Sequence, residues 1–455
     1  MRRILLFIQL LLLQGCVSLQ SQSLPNHYAD TINNHYRIID IHNYTFNELL
    51  NEGINTVSRQ LDVLHVPVRQ FRFIIKTHIK RHRFALNQGK QRLKKTTFRA
   101  IAFAYPSVSP KGDTIMLSGL VTMPILNDNK PKSMLVYHRI MAPSYKIAPS
   151  NSIPLEAVLT ADNTVCVFPD YYGCGITDGE PFAYTALNYH AHCATDCVLA
   201  ALKIIKDEDV ELDDDYYTWN LGYSQGAGYA LAMHKYIETV LSDSLSAIIN
   251  LKWSLCGDGV YVPIELYKNA LVTQNMGSTP AVYLKGLQSI FYIHQDCLDD
   301  FQMSDFFSDQ ALSANLDSLL QVYDESLWDM CNNLGKLVKA PNPKHYFSPM
   351  ALDTNSMLFK AMTNAFNLDD CASYWHPHSP VVLYHSKKDN CIPYQHTLEV
   401  YSMLADDIGK CFLYTPAIIG SHVQTAVLFY ANFLRLREDK LFKKYTKSKH
   451  DNHEK

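Results

Sequence analysis

The sequence predicts an α/β protein: a mainly parallel sheet with helices on both faces, an antiparallel N-terminal hairpin and an inserted helical cap. From residue 133 onward, short apolar runs alternate with helical segments, which is typical of a parallel sheet. Two β-rich runs precede them, and the alternation stops between about 260 and 379. The 455 residues, 47% hydrophobic and 19% charged, suffice for one large domain with an insertion.

The first sixteen residues, MRRILLFIQLLLLQGC, predict a signal peptide, because two arginines precede an apolar run too short to span a bilayer. The small residue before Cys16 resembles a lipobox, so we expect lipidation at that cysteine. Gln14 is not the usual small residue, and a simple secretory signal remains the alternative. We therefore expect an exported protein, anchored as a lipoprotein in the periplasm or at the cell surface, or otherwise secreted.

Residues 17–95 are expected to form an N-terminal helical extension, in which a polar spacer precedes a helical region from about 45 to 95. Apolar positions from Leu49 to Leu64 recur there near the helical period. A basic tract at 78–95 is interpreted as a solvated helix face. With a net charge of −3, no nucleic-acid partner is predicted. Because no later stretch is apolar over eighteen residues, the lipid is the only membrane contact expected.

The first part of the α/β core is predicted at 96–259. It contains the hairpin, whose two β-rich runs flank the turn SPKGD, and a series of strands and helices. We expect strands at 133–138, 164–168, just before Ser224 and at 246–254, and helices at 184–206 and from Ser224 to about 240.

The second part of the core is predicted at 380–440, with two strands and two helices, and a basic tail follows at 441–455. Between the two parts, residues 260–379 look helical and rich in aromatic and methionine residues, so we interpret them as a cap. A cap lining an acyl pocket and ordinary helical packing explain these apolar residues equally well.

Ser224 is the candidate nucleophile, because Gly222-Tyr223-Ser224-Gln225-Gly226 fits G-x-S-x-G between an apolar strand and a helix. A sharp turn there exposes the serine hydroxyl, and glycines allow the backbone segments to approach closely. The helix that follows directs amide groups towards the serine, where they favour developing negative charge.

A serine nucleophile needs a base, and the base needs an acid that orients it. Asp389 is the candidate acid, because it lies in the loop after the apolar run PVVLYH. Asp258, which follows an earlier strand, is the competing acid. His422 is the candidate base, because it follows the last strand and opens the last helix. In this type of sheet, groups that follow strands meet at one edge.

The segments VFPDYYGCG, GYSQGAG, HSKKDNCIP and GSH, with the order Ser224, Asp389, His422, resemble an α/β-hydrolase. Within that superfamily the chain is similar to the secretory lipase group and related bacterial lipoprotein esterases, over roughly residues 96–438. The resemblance implies an oxyanion hole made by the backbone amides of Gln225 and Arg139. It also implies that the PDYYGCG loop is mainly structural.

We expect a serine hydrolase of the carboxylesterase or lipase type, acting on a small-molecule ester through an acyl-enzyme. No cofactor is expected, and no metal site, since the cysteines and histidines show no metal-ligand spacing. A serine peptidase or aminopeptidase on the same fold is one alternative, with Asp299, Asp300, Asp305 and Asp309 as candidate amine-binding groups. A non-catalytic, ligand-binding surface lipoprotein is the other. Oligomeric state and disulfide pairing stay open.

Overall fold

The computed structural model describes residues 36–63, 97–125, 130–141, 147–277, 280–313, 341–405, 409–416 and 420–437. Expectations for the signal peptide, Cys16, the basic tract at 78–95 and the tail lie outside these residues. Within the described part, no helix is long and apolar enough to cross a membrane.

The described residues form a nine-stranded sheet in the order β1-β2-β3-β5-β4-β6-β7-β8-β9. Its strands are β1 (Arg37–Tyr44), β2 (Thr97–Val108), β3 (Thr114–Ile125), β4 (Ser133–His138), β5 (Thr164–Pro169), β6 (Tyr217–Tyr223), β7 (Leu251–Gly257), β8 (Val381–Tyr384) and β9 (Cys411–Tyr414). The six strands β5, β4, β6, β7, β8 and β9 are parallel to their neighbours in this order. At the other side of the sheet, the pairs β1–β2, β2–β3 and β3–β5 are antiparallel. The predicted fold class is thereby confirmed, including the antiparallel hairpin.

The helices occupy both faces of this sheet. They are α1 (Phe46–Val63), α2 (Leu187–Asp207), α3 (Gln225–Thr239), α4 (Asp243–Ile249), α5 (Pro263–Thr273), α6 (Pro280–Ile293), α7 (Asp309–Ser313), α8 (Pro349–Leu352), α9 (Met357–Asn367), α10 (Tyr394–Leu404) and α11 (His422–Arg437). Helices α2, α3 and α10 pack on one face together with the helices of residues 260–379, while α1 and α11 pack on the other.

Alternation along the strands produces these two cores. In β4, Met134 and Val136 face the side covered by α2 and α3, whereas Leu135 and Tyr137 face α11. Because both faces are buried, the strand reads as a continuous apolar run, which is why it could be predicted from the sequence. Helices α5 to α9 all lie in the chain between β7 and β8, where the sequence predicts the insertion.

Two local expectations are wrong. The strand expected at 246–254 begins only at Leu251, because α4 occupies the preceding residues. Asp243 in the first turn of α4 favours the helix, and Asn250, with φ 49°, ends it in the left-handed conformation. Residues 37–44, which were expected to belong to the polar spacer of the extension, form β1 instead. Exposed β1 lacks apolar alternation, and its backbone pairs with β2.

Candidate active site

Ser224 lies on the sharp turn between β6 and α3. Its backbone has φ 57° and ψ −121°, a conformation that non-glycine residues rarely adopt. A Cβ on Gly222 would lie 2.0 Å from the carbonyl oxygen of Gly226, and a Cβ on Gly226 would lie 2.0 Å from the carbonyl oxygen of His138. Both flanking positions therefore have to be glycine for the turn to form.

The structure brings Ser224, His422 and Asp389 together, although His422 lies 198 positions after Ser224 and 33 positions after Asp389 in the chain. Nε2 of His422 lies 2.8 Å from Oγ of Ser224. Nδ1 lies 2.6 Å from Oδ2 of Asp389. Because a carboxylate can only accept, Nδ1 carries the hydrogen and Nε2 is left to accept from the serine hydroxyl. This is the tautomer that a general base requires.

Asp389 is held by its own loop. Its Oδ1 accepts hydrogen bonds from the backbone amides of Cys391, at 2.7 Å, and Ile392, at 2.8 Å. The backbone amide of His422 donates to the side chain of Asn390 at 3.2 Å. The loop after β8 thus fixes Asp389 and also the start of α11, so that Asp389 and His422 keep their relative positions.

The electrostatics favour an ion pair between His422 and Asp389. Burial acts to lower the pKa of His422, but the charge of Asp389 and the hydrogen bond to it outweigh burial and raise the pKa above the ordinary value of 6.5. Burial also acts to raise the pKa of Asp389, whereas the charge and hydrogen bond of His422 lower it below the ordinary 3.8. Asp389 therefore stays ionised while His422 gains and loses a proton.

Gln225 is the first residue of α3, so its backbone amide has no acceptor four residues earlier in the helix. That leaves the amide beside Ser224 available to a developing oxyanion. The side chain of Gln225 is buried and donates to the hydroxyl of Tyr229 at 2.8 Å, which directs it away from this role.

Arg139 follows β4, and its carbonyl oxygen would lie 2.6 Å from a Cβ placed on Gly226. Its backbone therefore passes directly against the start of α3. The hydroxyl of Tyr171 donates to this carbonyl at 2.5 Å, and the buried guanidinium lies 5.5 Å from the centre of the same tyrosine ring. Tyr171 belongs to the PDYYGCG loop, so this loop supports the chain beside the nucleophile.

A buried chain of hydrogen bonds behind the nucleophile turn was not predicted. His138 at the end of β4 contacts His190 at 3.1 Å and Asn220 of β6 at 2.9 Å. Burial lowers the pKa of His138 to about 3, so it is neutral there. A polar residue inside the apolar run TWNLGY was the available signal. The complete series of hydrogen-bonded side chains is His190, His138, Asn220, Ser254, His234 and Glu238.

Asp258, the competing acid, also lies at this site. Asp258, Asp389 and His422 each offer a possible ligand atom, and these three atoms lie within 4.8 Å of one another. Among the described residues, this is the one group of three or more that could hold a metal ion. However, Nδ1 of His422 pairs with Asp389, and Asp258 binds Tyr223 and the backbone amide of Ser386 instead. Of the two carboxyl groups, Asp389 is the one that the geometry pairs with His422.

The acidic residues considered for an aminopeptidase do not form a buried site. Asp299, Asp300 and Asp309 are exposed, and Asp305 accepts a hydrogen bond from the backbone amide of Gln302 in a helix cap. These contacts fit the solvated interpretation of the group.

No family model and no curated protein matches the sequence, but solved structures are similar in fold. A Legionella pneumophila protein assigned as a hydrolase has a TM-score of 0.66 and 15% identity, covering 91% of this chain and 99% of its own. The rice cell wall degrading esterase LipA from Xanthomonas oryzae has a TM-score of 0.62 and 17% identity, covering 90% and 98%. Candida antarctica lipase A in its closed state has a TM-score of 0.51 and 14% identity, covering 78% and 79%.

These likenesses extend over nearly the whole length of the first two proteins. Together with the parallel strands β5 to β9 and the helices on both faces, they confirm the expected fold. The chain therefore has the α/β-hydrolase fold.

Proposed function

We propose that this chain is a serine hydrolase that cleaves carboxylic esters through an acyl-enzyme on Ser224. The observation that carries the proposal is the continuous chain from the Ser224 hydroxyl through His422 to Asp389, with contacts of 2.8 and 2.6 Å. Nucleophile, base and orienting acid thus occupy the positions that acyl transfer requires. The Xanthomonas protein of similar fold is an esterase, which favours an ester over an amide bond.

In the first half of the reaction, Oγ of Ser224 bonds to the ester carbonyl carbon while Nε2 of His422 takes the hydroxyl proton. The carbonyl electron pair moves to oxygen, giving an oxyanion. Collapse of this intermediate breaks the bond to the alcohol, which leaves with the proton from His422. Asp389 keeps Nδ1 protonated and stabilises the imidazolium ion throughout.

In the second half, a water molecule attacks the acyl carbon as His422 accepts a proton from it. The bond to Oγ breaks, Ser224 recovers its proton and the carboxylic acid leaves. For both intermediates we propose that the backbone amides of Gln225 and Arg139 donate to the oxyanion. Each such donor contributes about 3 kcal/mol of transition-state stabilisation.

The test is hydrolysis of p-nitrophenyl esters from acetate to palmitate by wild type and Ser224→Ala. Ser244→Ala, at an exposed serine in α4, is the matched control. We expect Ser224→Ala to lower kcat by about 10⁶ and the control to have no effect. Hydrolysis that survives Ser224→Ala would contradict the mechanism. If wild type cleaves amides but no ester, it is a peptidase, and if it cleaves neither, the binding-protein alternative gains.

We propose further that residues 1–16 direct export and that Cys16 carries a lipid, leaving the domains at 96–259, 260–379 and 380–440 outside the cytoplasm. This rests on the arginines, the short apolar run and the small residue before Cys16. Metabolic labelling with a fatty acid should mark the wild type and not Cys16→Ser. An unlabelled but secreted wild type would indicate a simple signal peptide.

A further inference from the structure

Asp258 is a second carboxyl group beside the proposed catalytic residues, and it lies directly after β7 with none of its surface exposed. Its Oδ1 accepts a hydrogen bond from the backbone amide of Ser386 at 2.9 Å. Its Oδ2 is hydrogen-bonded to the hydroxyl of Tyr223, the residue immediately before Ser224. Asp258 thus contacts the strand that carries the nucleophile and the loop that carries Asp389.

The hydroxyl of Tyr223 has a second partner. It lies 2.6 Å from the backbone carbonyl oxygen of His422, and a carbonyl oxygen can only accept. Tyrosine has a single hydroxyl proton, which is therefore directed to His422. The contact with Asp258 then requires a proton on Asp258, so that the acid donates and the tyrosine oxygen accepts. Counting donors in this way leaves each of the three groups satisfied.

The groups that face Asp258 are Tyr223, Tyr261, His385, Asp389 and His422. Nδ1 of His385 lies 3.7 Å away, but its Nε2 is 3.1 Å from the carbonyl of Ile392 and must carry the hydrogen there. Its Nδ1 is paired with the hydroxyl of Thr397 at 2.6 Å, as in a neutral ring.

Burial lowers the pKa of His385 to about 4, so this histidine supplies no positive charge to Asp258. Burial and the nearby charge of Asp389 raise the pKa of Asp258 to about 7, against the opposing charge of protonated His422. When His422 is neutral, as it must be to act as base, that opposing charge is absent. The working form of the site therefore favours the protonated acid.

We propose that Asp258 is a neutral carboxylic acid that positions His422, by donating to Tyr223, whose hydroxyl in turn donates to the His422 backbone carbonyl. This inference rests on the proposed function. The two hydrogen bonds connect the end of β6 to the start of α11, so the residue before the nucleophile holds the backbone of the base. Ionisation of Asp258 removes the donor and sets a second negative charge beside Asp389.

Asp258→Asn and Asp258→Ala distinguish a neutral acid from a carboxylate. The asparagine amide donates to Tyr223 and its oxygen accepts from Ser386, as the protonated acid does, and it cannot ionise. We expect Asp258→Ala and Tyr223→Phe to lower kcat about tenfold or more with little change in KM, and Asp258→Asn to restore most of that loss. We also expect Asp258→Asn to move the alkaline limb of the pH profile upward by about one unit.

The matched control is Asp196→Asn, at a buried carboxyl group that pairs with Ser107 of β2 and with His192 of α2. It should leave the alkaline limb in place. An Asp258→Asn variant as inactive as Asp258→Ala, with an unmoved limb, would overturn the proposal, because it would show that the negative charge is needed.

A second readout does not depend on activity. Infrared spectra of wild type below neutral pH should contain a protonated carboxyl band that Asp258→Asn lacks and that disappears as the pH rises past 7. The same band should be present in Ser224→Ala. If no variant hydrolyses an ester but this band is found, the proposed function fails and the protonation of Asp258 stands. Absence of any band difference sinks the inference even if hydrolysis is normal.

Discussion

The backbone of Ser224 stores strain that can be measured by comparing two inactive variants, Ser224→Gly and Ser224→Ala. Both remove the hydroxyl and its 2.8 Å contact with His422, so their difference isolates the backbone. At φ 57° and ψ −121° a residue with a Cβ is strained by about 1–3 kcal/mol, from which glycine is free. Relative to alanine, glycine lowers the free energy of unfolding by about 0.5–1 kcal/mol, because it makes the unfolded chain more flexible.

Subtracting the glycine loss from the relieved strain predicts that the free energy of unfolding of Ser224→Gly exceeds that of Ser224→Ala by up to about 2.5 kcal/mol. The assay is urea unfolding followed by tryptophan fluorescence. The same pair of substitutions at Ser244, in helix α4, is the control and should have the opposite sign, because glycine in a helix is about 1 kcal/mol less stable than alanine. If Ser224→Ala is more stable than Ser224→Gly, as expected for the corresponding pair at Ser244, the reasoning is refuted.

Three further predictions concern the acid, the base and the turn. Asp389→Asn should lower kcat by about 10⁴ in ester hydrolysis while the circular dichroism spectrum is unchanged; a loss below tenfold would contradict its role. Because the base must be neutral and its pKa is raised, the acid limb of the kcat/KM profile should have a midpoint above pH 6.5, and a midpoint below that value would disprove the pairing of His422 with an ionised acid. Gly226→Ala should destabilise the fold by about 1–3 kcal/mol or more in thermal unfolding, because its Cβ would meet the His138 carbonyl oxygen. Gly286→Ala is the control and should not destabilise the fold in this way, because no atom lies nearer than 3.6 Å to the added Cβ.

Strands buried on both faces were predicted well because their composition is set by their surroundings. Residues 133–138 match β4 at both ends, and residues 164–168 match β5 to within one residue. Where a segment is short or exposed, local composition is a weaker guide. The apolar run before β7 was assigned to the strand although it forms α4, and exposed β1 was missed because backbone pairing with β2 holds it.

The turn at Ser224 and the positions of Asp389 and His422 after strands were visible in the sequence by itself. These features depend on local chemistry: glycines permit a tight turn, and parallel strands bring the residues that follow them to one edge. The sequence therefore determined the sheet class, the candidate nucleophile and the order of its partners.

Which carboxyl group pairs with the base was decided by the tertiary structure. Asp258 and Asp389 both follow strands, and only the packing of β6, β7, β8 and α11 shows that Asp389 contacts the His422 ring whereas Asp258 contacts Tyr223. The buried series of hydrogen bonds from His190 to Glu238 likewise joins residues from five elements. Hydrogen bonds between distant segments depend on distances of a few ångströms, and no pattern along the chain records such distances.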